Sequence, residues 1–591
     1  MNGPSVQAPS ETKRLDSWKE IAAYLNRDVT TVQRWEKREG MPVYRHVHDK
    51  RGSVYALPEE LNAWREQRRS VVDEQPEVME PGDIADTRLS VKSTDGWGIG
   101  PLWWVVAALM ICAGLVAGYV AWRGHETVAA GPQIRSLAVL PLRNLSGDAS
   151  QDYLADGITE ELIGKLAGIR ELKVTSHTSV ERFKDTKTSV PEIAKALGVD
   201  AVVEGSVIRD GSRIRVSAQL IRAATDTHLW SETYDREMSD ALPLESELAQ
   251  AIAEKVRVSV TGQEQQRLTA ARAVAPEVYE SYLKGRYALD GAHSNAELEE
   301  GIRYFQEAIA RDPTFAQAYV GLAGAYTRMG TVAAGGTPSE TRPKVISAAR
   351  KALEIDPNLA EAHVLLANTL QEQWQWNEAE SEYKRALELQ PNNASAHAWY
   401  ALWLSCQGRT DEAVAWVRRA RELDPVEVSG GSVAWILFQA HRYDEAIREL
   451  RDVLAVRPDD GGGLGGLGFA LLGKGQATEA VTVLEKANAL SKGSPAVEGI
   501  LVRAYARAGR REDALRLLAE MKKRREAGYF PAGAFVNAYL GLGDKEQAFV
   551  WLEEAYKEQS NILQFVKTHP FFDPIRSDPR FVDLQRRVGL G

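Results

Sequence analysis

The chain has 591 residues, 44% of them apolar and 26% charged, with a formal net charge of −10. That length exceeds one domain, and that balance excludes a collagen-like, low-complexity or disulfide-stapled chain. Two cysteines, Cys112 and Cys406, supply neither a disulfide framework nor a zinc-ligand spacing.

Charge is unevenly spread. Residues 12–70 hold 13 Lys/Arg against 9 Asp/Glu, whereas 71–95 hold 2 against 7. A small basic segment points to a polyanion partner. Within it, Trp18, Ile21, Ala22 and Leu25 recur at helical spacing. Asn26-Arg27-Asp28 makes a turn, and Asp28 is placed to cap a second helix. Val29, Val32 and Trp35 bury one face of that helix. Thr30, Thr31, Gln33, Arg34, Lys37 and Arg38 remain for its exposed side, as donors suited to phosphates and base edges. VYRHVHDKRGSVYAL then alternates around a turn that carries Lys50 and Arg51, a cationic hairpin tip, and Pro58 opens a third helix with Leu61 and Trp64. Helix, turn, helix, hairpin, helix is the order of a winged helix-turn-helix. WKEIAAYL, TTVQRWE and RGSVYALPEELNAW resemble the MerR-like and excisionase-like DNA-binding domains over about residues 14–68, within a domain expected over 14–70. The resemblance implies double-stranded DNA as partner. A small helical head that binds protein instead is the alternative. His46 and His48 share a strand face and read as wing residues, so no metal is assigned.

Residues 71–95 are acidic, carry Pro and Gly and lack periodicity, the composition of a disordered linker. Residues 96–123 follow, with no charge from Gly96 to Trp122 and Trp103, Trp104 and Trp122 near the ends. At about 1.5 Å per residue the stretch spans a bilayer core of about 30 Å. The expectation is one transmembrane helix in the inner membrane, N-terminus cytoplasmic and C-terminal region extracytoplasmic. The flanking Arg and Lys are level on the two sides, so orientation rests on the DNA reading.

Residues 133–262 read as an α/β module. Ile134–Leu142, Leu172–Thr175, Ala201–Val207 and Arg213–Arg222 are strand-like, with helices over Tyr153–Ala167, Pro191–Leu197 and Leu244–Val260. SLAVLPLRNLSGD, YLADGITEELIGKL and ALGVDAVVEGSVIRDGSRIRVSAQLI resemble the TolB amino-terminal/FlgO-like module, and no catalytic role comes with that resemblance. Asp152, Asp156, Glu160 and Glu161 sit in the opening turns of a helix, where carboxylates favour the positive end. His177 has no nucleophile or acid beside it in sequence.

Residues 276–570 are a repeat array. Ala379, Ala413, Ala446, Ala480, Ala514 and Ala548 recur at 34, 33, 34, 34 and 34 residues, and Pro357, Pro391, Pro425 and Pro458 at 34, 34 and 33. The pattern resembles tetratricopeptide repeats, about eight units, which implies a concave groove for a protein or peptide. Trp374, Trp376, Trp399, Trp403, Trp416 and Trp435 divide between that groove and the inter-helix core. Gly463–Gly468 fits G-x-G-x-x-G but lies in a repeat's first helix, not after a strand. Residues 571–591 read as a C-terminal cap on the last pair.

The fold class expected is therefore multidomain: a small winged helix-turn-helix, one transmembrane helix, an α/β module and an all-α tetratricopeptide superhelix. The layout is similar to ToxR-type membrane-bound regulators. It implies a one-component transcriptional regulator with no cofactor, lipid bilayer and DNA as partners, and a homodimer matched to a two-fold operator. The alternatives are an envelope scaffold whose head binds protein and, third, a nucleotide cyclase.

Overall fold

Apolar spacing at the start of the chain closes into the helix Trp18–Leu25, whose Ile21, Ala22 and Leu25 are buried. The computed structural model describes residues 15, 17–25, 27, 32, 35, 36, 41–45, 54–58, 60–62 and 64 of a first unit, residues 1–125. In a second unit, residues 126–591, it describes 133–591 apart from 271, 293, 331–337, 427 and 429.

In the first unit, Val32, Trp35 and Glu36 are helical. Strand β1 (Tyr44–Arg45) pairs antiparallel with β2 (Val54–Tyr55), and Leu15 bridges to Ala56. Ile21, Val32, Met41, Val54, Ala56 and Leu61 form the core. Trp35 and Trp64 close it, ring centroids 5.6 Å apart.

No helix among the described residues is long and apolar enough to cross a membrane. That finding corrects the fold class to a multidomain chain with an α/β region and an all-α repeat array, without the expected transmembrane helix. It equally removes the support for a single-pass inner-membrane placement. The stretch 96–123 and the linker 71–95 lie outside the described residues.

The second unit opens with a six-stranded sheet. Strands β3 (Ser136–Val139), β5 (Lys173–Val174) and β6 (Ala201–Asp210) are parallel, with β3 in the middle. Strands β7 (Arg213–Arg222) and β8 (Thr227–Glu237) continue antiparallel from β6, and β4 (Arg143–Asn144) pairs with β6. The helix Val190–Leu197 starts on a Ser189–Glu192 capping box and stops at Gly198, whose φ of 65° suits glycine. The expected strand Ile134–Leu142 is interrupted around Pro141, which has no N–H for the ladder.

Eight helix pairs follow among the described residues, from Pro276–Asp290 with Asn295–Arg311 to Ala532–Leu542 with Lys545–Lys557. The recurrent Ala379, Ala413, Ala446, Ala480, Ala514 and Ala548 are all fully buried, because only a small side chain fits where the helices of a pair cross. Gly463–Gly468 lies within the helix Gly461–Gly473. A Cβ on Gly468 would stand 2.4 Å from Leu484, so this glycine serves helix contact. After the last pair, two 3₁₀ turns, Asn561–Phe565 and Pro570–Ile575, lead to the helix Pro579–Arg587.

Candidate functional site

Every residue expected to contact DNA lies outside the described residues: Thr30, Thr31, Gln33, Arg34, Lys37, Arg38, Lys50 and Arg51. What is described is the frame that would carry them. Val32 and Trp35 pack inward, and the β1–β2 pair forms the base of the hairpin.

The array is described apart from residues 293, 331–337, 427 and 429. On its first helices, two columns of residues repeat. Gln371, Ser405 and Gln439 are spaced by 34 and 34; Trp435, Phe469, Arg503 and Asn537 by 34, 34 and 34. Both columns face the C-terminal tail, residues 559–591. Gln371 Nε2 donates to Gln564 Oε1 at 2.8 Å. Arg342 donates to the Gln559 carbonyl at 3.1 Å and to Asn561 Oδ1 at 2.9 Å. Trp435 meets Phe565 edge-on at 5.5 Å, and Trp376 Nε1 donates to the Val588 carbonyl at 2.7 Å. Phe571 packs against both Phe438 and Phe469, with the Arg503 guanidinium 3.8 Å from its ring centroid. The face expected to hold a partner is therefore filled by the chain itself. The tail does more than cap the last pair, since it reaches back to the second and third. Among the tryptophans, Trp435 and Trp376 touch the tail, Trp403 is core, Trp416 packs on Tyr400, Trp374 stacks on Tyr556, and Trp399 is exposed. The two columns were missed in sequence; their signal is the same 34-residue period, read on first-helix positions rather than on alanine.

Polar matching under the tail is incomplete. Gln439 Oε1 and Nε2, Ser405 Oγ, Arg503 Nη1, Asn537 Oδ1 and Thr568 Oγ1 are buried without a hydrogen-bond partner among the described residues. Gln439 and Thr568 line a cavity of about 350 Å³ with His441, Lys567, Asp573 and Arg576. Burial, with Arg503, Arg576 and His441 adding, holds His569 neutral, its pKa pushed down to about 3.

A second seam joins the α/β module to the array. Asp424, in the turn after a repeat, accepts from Ser176 N at 2.9 Å and from Ser179 Oγ at 2.5 Å. Asn392 donates to the carbonyls of Arg170 and Leu172. Glu161 accepts from Tyr282 at 2.5 Å, Glu245 accepts from Tyr279, and Glu160 pairs with Arg286. Burial pushes the carboxyl pKa values of Glu161 and Glu245 up. A Cβ on Gly157 would meet Leu283 at 2.4 Å, so the two helices touch closely there. The acidic run expected to favour a helix start thus splits. Asp152 binds Asn144, Asp156 binds Lys184, and Glu160 and Glu161 hold the seam. Among the described residues no group of three His, Cys, Asp or Glu could hold a metal ion.

With this geometry in place, residues 133–254 match the family model described as HilA/YgeH-like transcriptional regulator, second domain. Tetratricopeptide repeat models match 364–427, 437–486 and 471–527. The chain carries a HilA-like regulator domain and a tetratricopeptide array. The module matches the HilA/YgeH-like description, and the TolB amino-terminal/FlgO-like one expected for it is not shown. The chain is 33% identical over 250 residues to "Putative adenylate cyclase 3" of Rhizobium meliloti (strain 1021). That segment covers 42% of this chain and 42% of the relative, so the chain spans less than half of the curated protein it matches. Among solved structures it is similar to PilW, a type IV pilus biogenesis factor, at 17% identity and a TM-score of 0.31, over 35% of this chain and 92% of that one. It is also similar to a thermophilic tetratricopeptide repeat protein of Thermus thermophilus, at 19% identity and a TM-score of 0.28, over 33% of this chain and 99% of that one.

Proposed function

We propose that this protein is a transcriptional regulator. Its head, residues 14–70, reads double-stranded DNA through Thr30, Thr31, Gln33, Arg34, Lys37 and Arg38, with Lys50 and Arg51 on the backbone. The array engages a protein or peptide. The observation that carries the reading is the match of residues 133–254 to the second domain of HilA/YgeH-like transcriptional regulators. The excess of 13 basic over 9 acidic residues in 12–70 supports it. A two-fold pair of heads would suit a palindromic operator. The cyclase named in the relative is not carried over, since a regulator domain and repeats are binding types.

The test is titration of the full chain against genomic fragments at several salt concentrations. Affinity is expected to fall with salt. Replacing Lys50 and Arg51 is expected to weaken all sequences alike and flatten the log–log slope by roughly 0.9 per lost phosphate contact. Arg34→Ala is expected to relax sequence preference. A second reading, a scaffold whose head binds protein, draws on the eight helix pairs. It takes over if the folded chain shows no salt-dependent DNA binding.

A further inference from the structure

The tail fills the first-helix face with aromatic side chains yet leaves several of its polar atoms unanswered. Arg503 is 4% exposed. It stacks on Phe571, and no carboxylate pairs with it among the described residues. The carboxylate nearest in the tail sequence, Asp573, is bound instead to the tail's own Arg576 at 2.8 Å. Arg576 also donates to the carbonyls of Val566, Lys567 and His569, which folds the tail's backbone on itself. Both ends of the Gln439 amide, 1% exposed, likewise find nothing. An amide with a free donor and a free acceptor fits the N–H and C=O of an extended backbone. The tail residues beside it, Lys567 and Thr568, lie between the two 3₁₀ turns and offer it neither group. A buried polar atom without a partner is costly, so an occupant able to satisfy these atoms gains over the tail.

We propose that residues 559–591 are a replaceable occupant of the first-helix face, and that the partner is an extended peptide carrying an aromatic side chain followed closely by a carboxylate. The aromatic takes the place of Phe571 against Phe438 and Phe469. The carboxylate pairs with Arg503, and the backbone meets Gln439. This deepens the reading that the array binds a protein or peptide, and rests on it.

The test uses the full chain and two labelled peptides, residues 564–578 as they stand and the same peptide with Arg576→Ala, which frees its Asp573. Followed by anisotropy, the Phe571→Ala chain is expected to bind the first peptide at least tenfold more tightly than the unaltered chain. The second peptide is expected to bind more tightly still, and adding Arg503→Gln to the chain is expected to abolish that gain. Equal binding by both chains, or no binding by a Phe571→Ala chain that keeps its helical spectrum, overturns the proposal. So does a shift to dimers on gel filtration, which would mean a tail exchanged with a second copy. Hydrogen exchange on the unaltered chain decides the matter if Phe571→Ala unfolds. Amides of 562–576 are expected to open at least tenfold more often than those of 461–473, and equal protection overturns the proposal. None of these outcomes touches the salt-dependent DNA titration. Failure here with DNA binding intact therefore removes the peptide and leaves the regulator.

Discussion

The array meets two other parts of its own chain, and the two seams are made of different chemistry. Against the α/β module most contacts are polar and paired: Asp424 holds Ser176 and Ser179, Asn392 holds two carbonyls, and Glu161 and Glu245 each take a tyrosine hydroxyl, although Glu245 Oε2 and Arg286 Nε are left without a partner among the described residues. Against the tail, beside the bonds of Gln371, Arg342 and Trp376, the contacts are aromatic, and Gln439, Arg503 and Asn537 are left with unanswered atoms. Buried polar groups fix one geometry only when each has its partner. The first seam, with its larger share of paired groups, is the more specific of the two. The second draws its strength from non-directional burial, which another aromatic segment can supply equally well.

The largest effect that would sharpen this contrast is on the tail. Phe572 is 1% exposed and packs on Phe581 with centroids 5.2 Å apart. Phe572→Ala is expected to cost about 3–5 kcal/mol, and hydrogen exchange is expected to place that loss in residues 559–591 and leave the module seam protected. Loss spread evenly over the unit would erase the distinction between the seams. Asp424→Ala comes next. It strands a backbone N–H and a hydroxyl in a buried place and removes charge-assisted bonds, at about 1.5–3 kcal/mol. Its loss is expected in urea unfolding and as proteolytic separation of the module from the array.

Acid provides a third probe, because the two seams respond with opposite sign. His569 sits at about 3, against about 6.5 when unfolded. Between those values the unfolded chain binds more protons, so tail stability falls as pH falls from about 6.5 toward 3, by about 2 kcal/mol at pH 5. Glu161 and Glu245 are raised above their usual 4.5. Their contribution is complete below that value and is lost as pH rises. Protection factors taken at pH 7 and pH 5 are expected to show the tail opening while the module seam holds. Opening of both together would refute the separate chemistry.

Much of this was legible in the sequence, for physical reasons that differ by region. The array is written in a period: small residues must recur wherever two helices cross, so Ala379 to Ala548 announce it. The module's core strands are apolar runs, but β8 was missed, since its edge position leaves Thr227–Glu237 mostly exposed and polar. The tail's position was illegible because nothing local in HPFFDPIRSDPRFVDL tells a cap on one pair from a segment that crosses several. The expected transmembrane helix is the correction. An uncharged run sets a length, and no helix among the described residues has that length and character. The DNA-reading residues were chosen by type and spacing alone, and the titration remains their test.

The smallest effect is the most direct comparison, because it uses one repeat position twice. Gln371 and Gln439 stand 68 residues apart, two repeats, on equivalent turns of first helices. Gln371 donates to Gln564 and accepts from Tyr383 Oη at 3.0 Å, so Gln371→Leu strands Gln564, while Tyr383 keeps Asn368 at 2.6 Å, and is expected to cost about 1 kcal/mol. Gln439 has neither bond. Removing a buried polar group that has no partner relieves a desolvation cost, so Gln439→Leu is expected to be neutral or to stabilise by about 1 kcal/mol. The sign, not the size, carries the meaning, and urea midpoints of the two variants measured side by side provide it. A loss at Gln439 equal to that at Gln371 would show that the amide is already satisfied. The tail would then fit its groove as completely as the module fits the array.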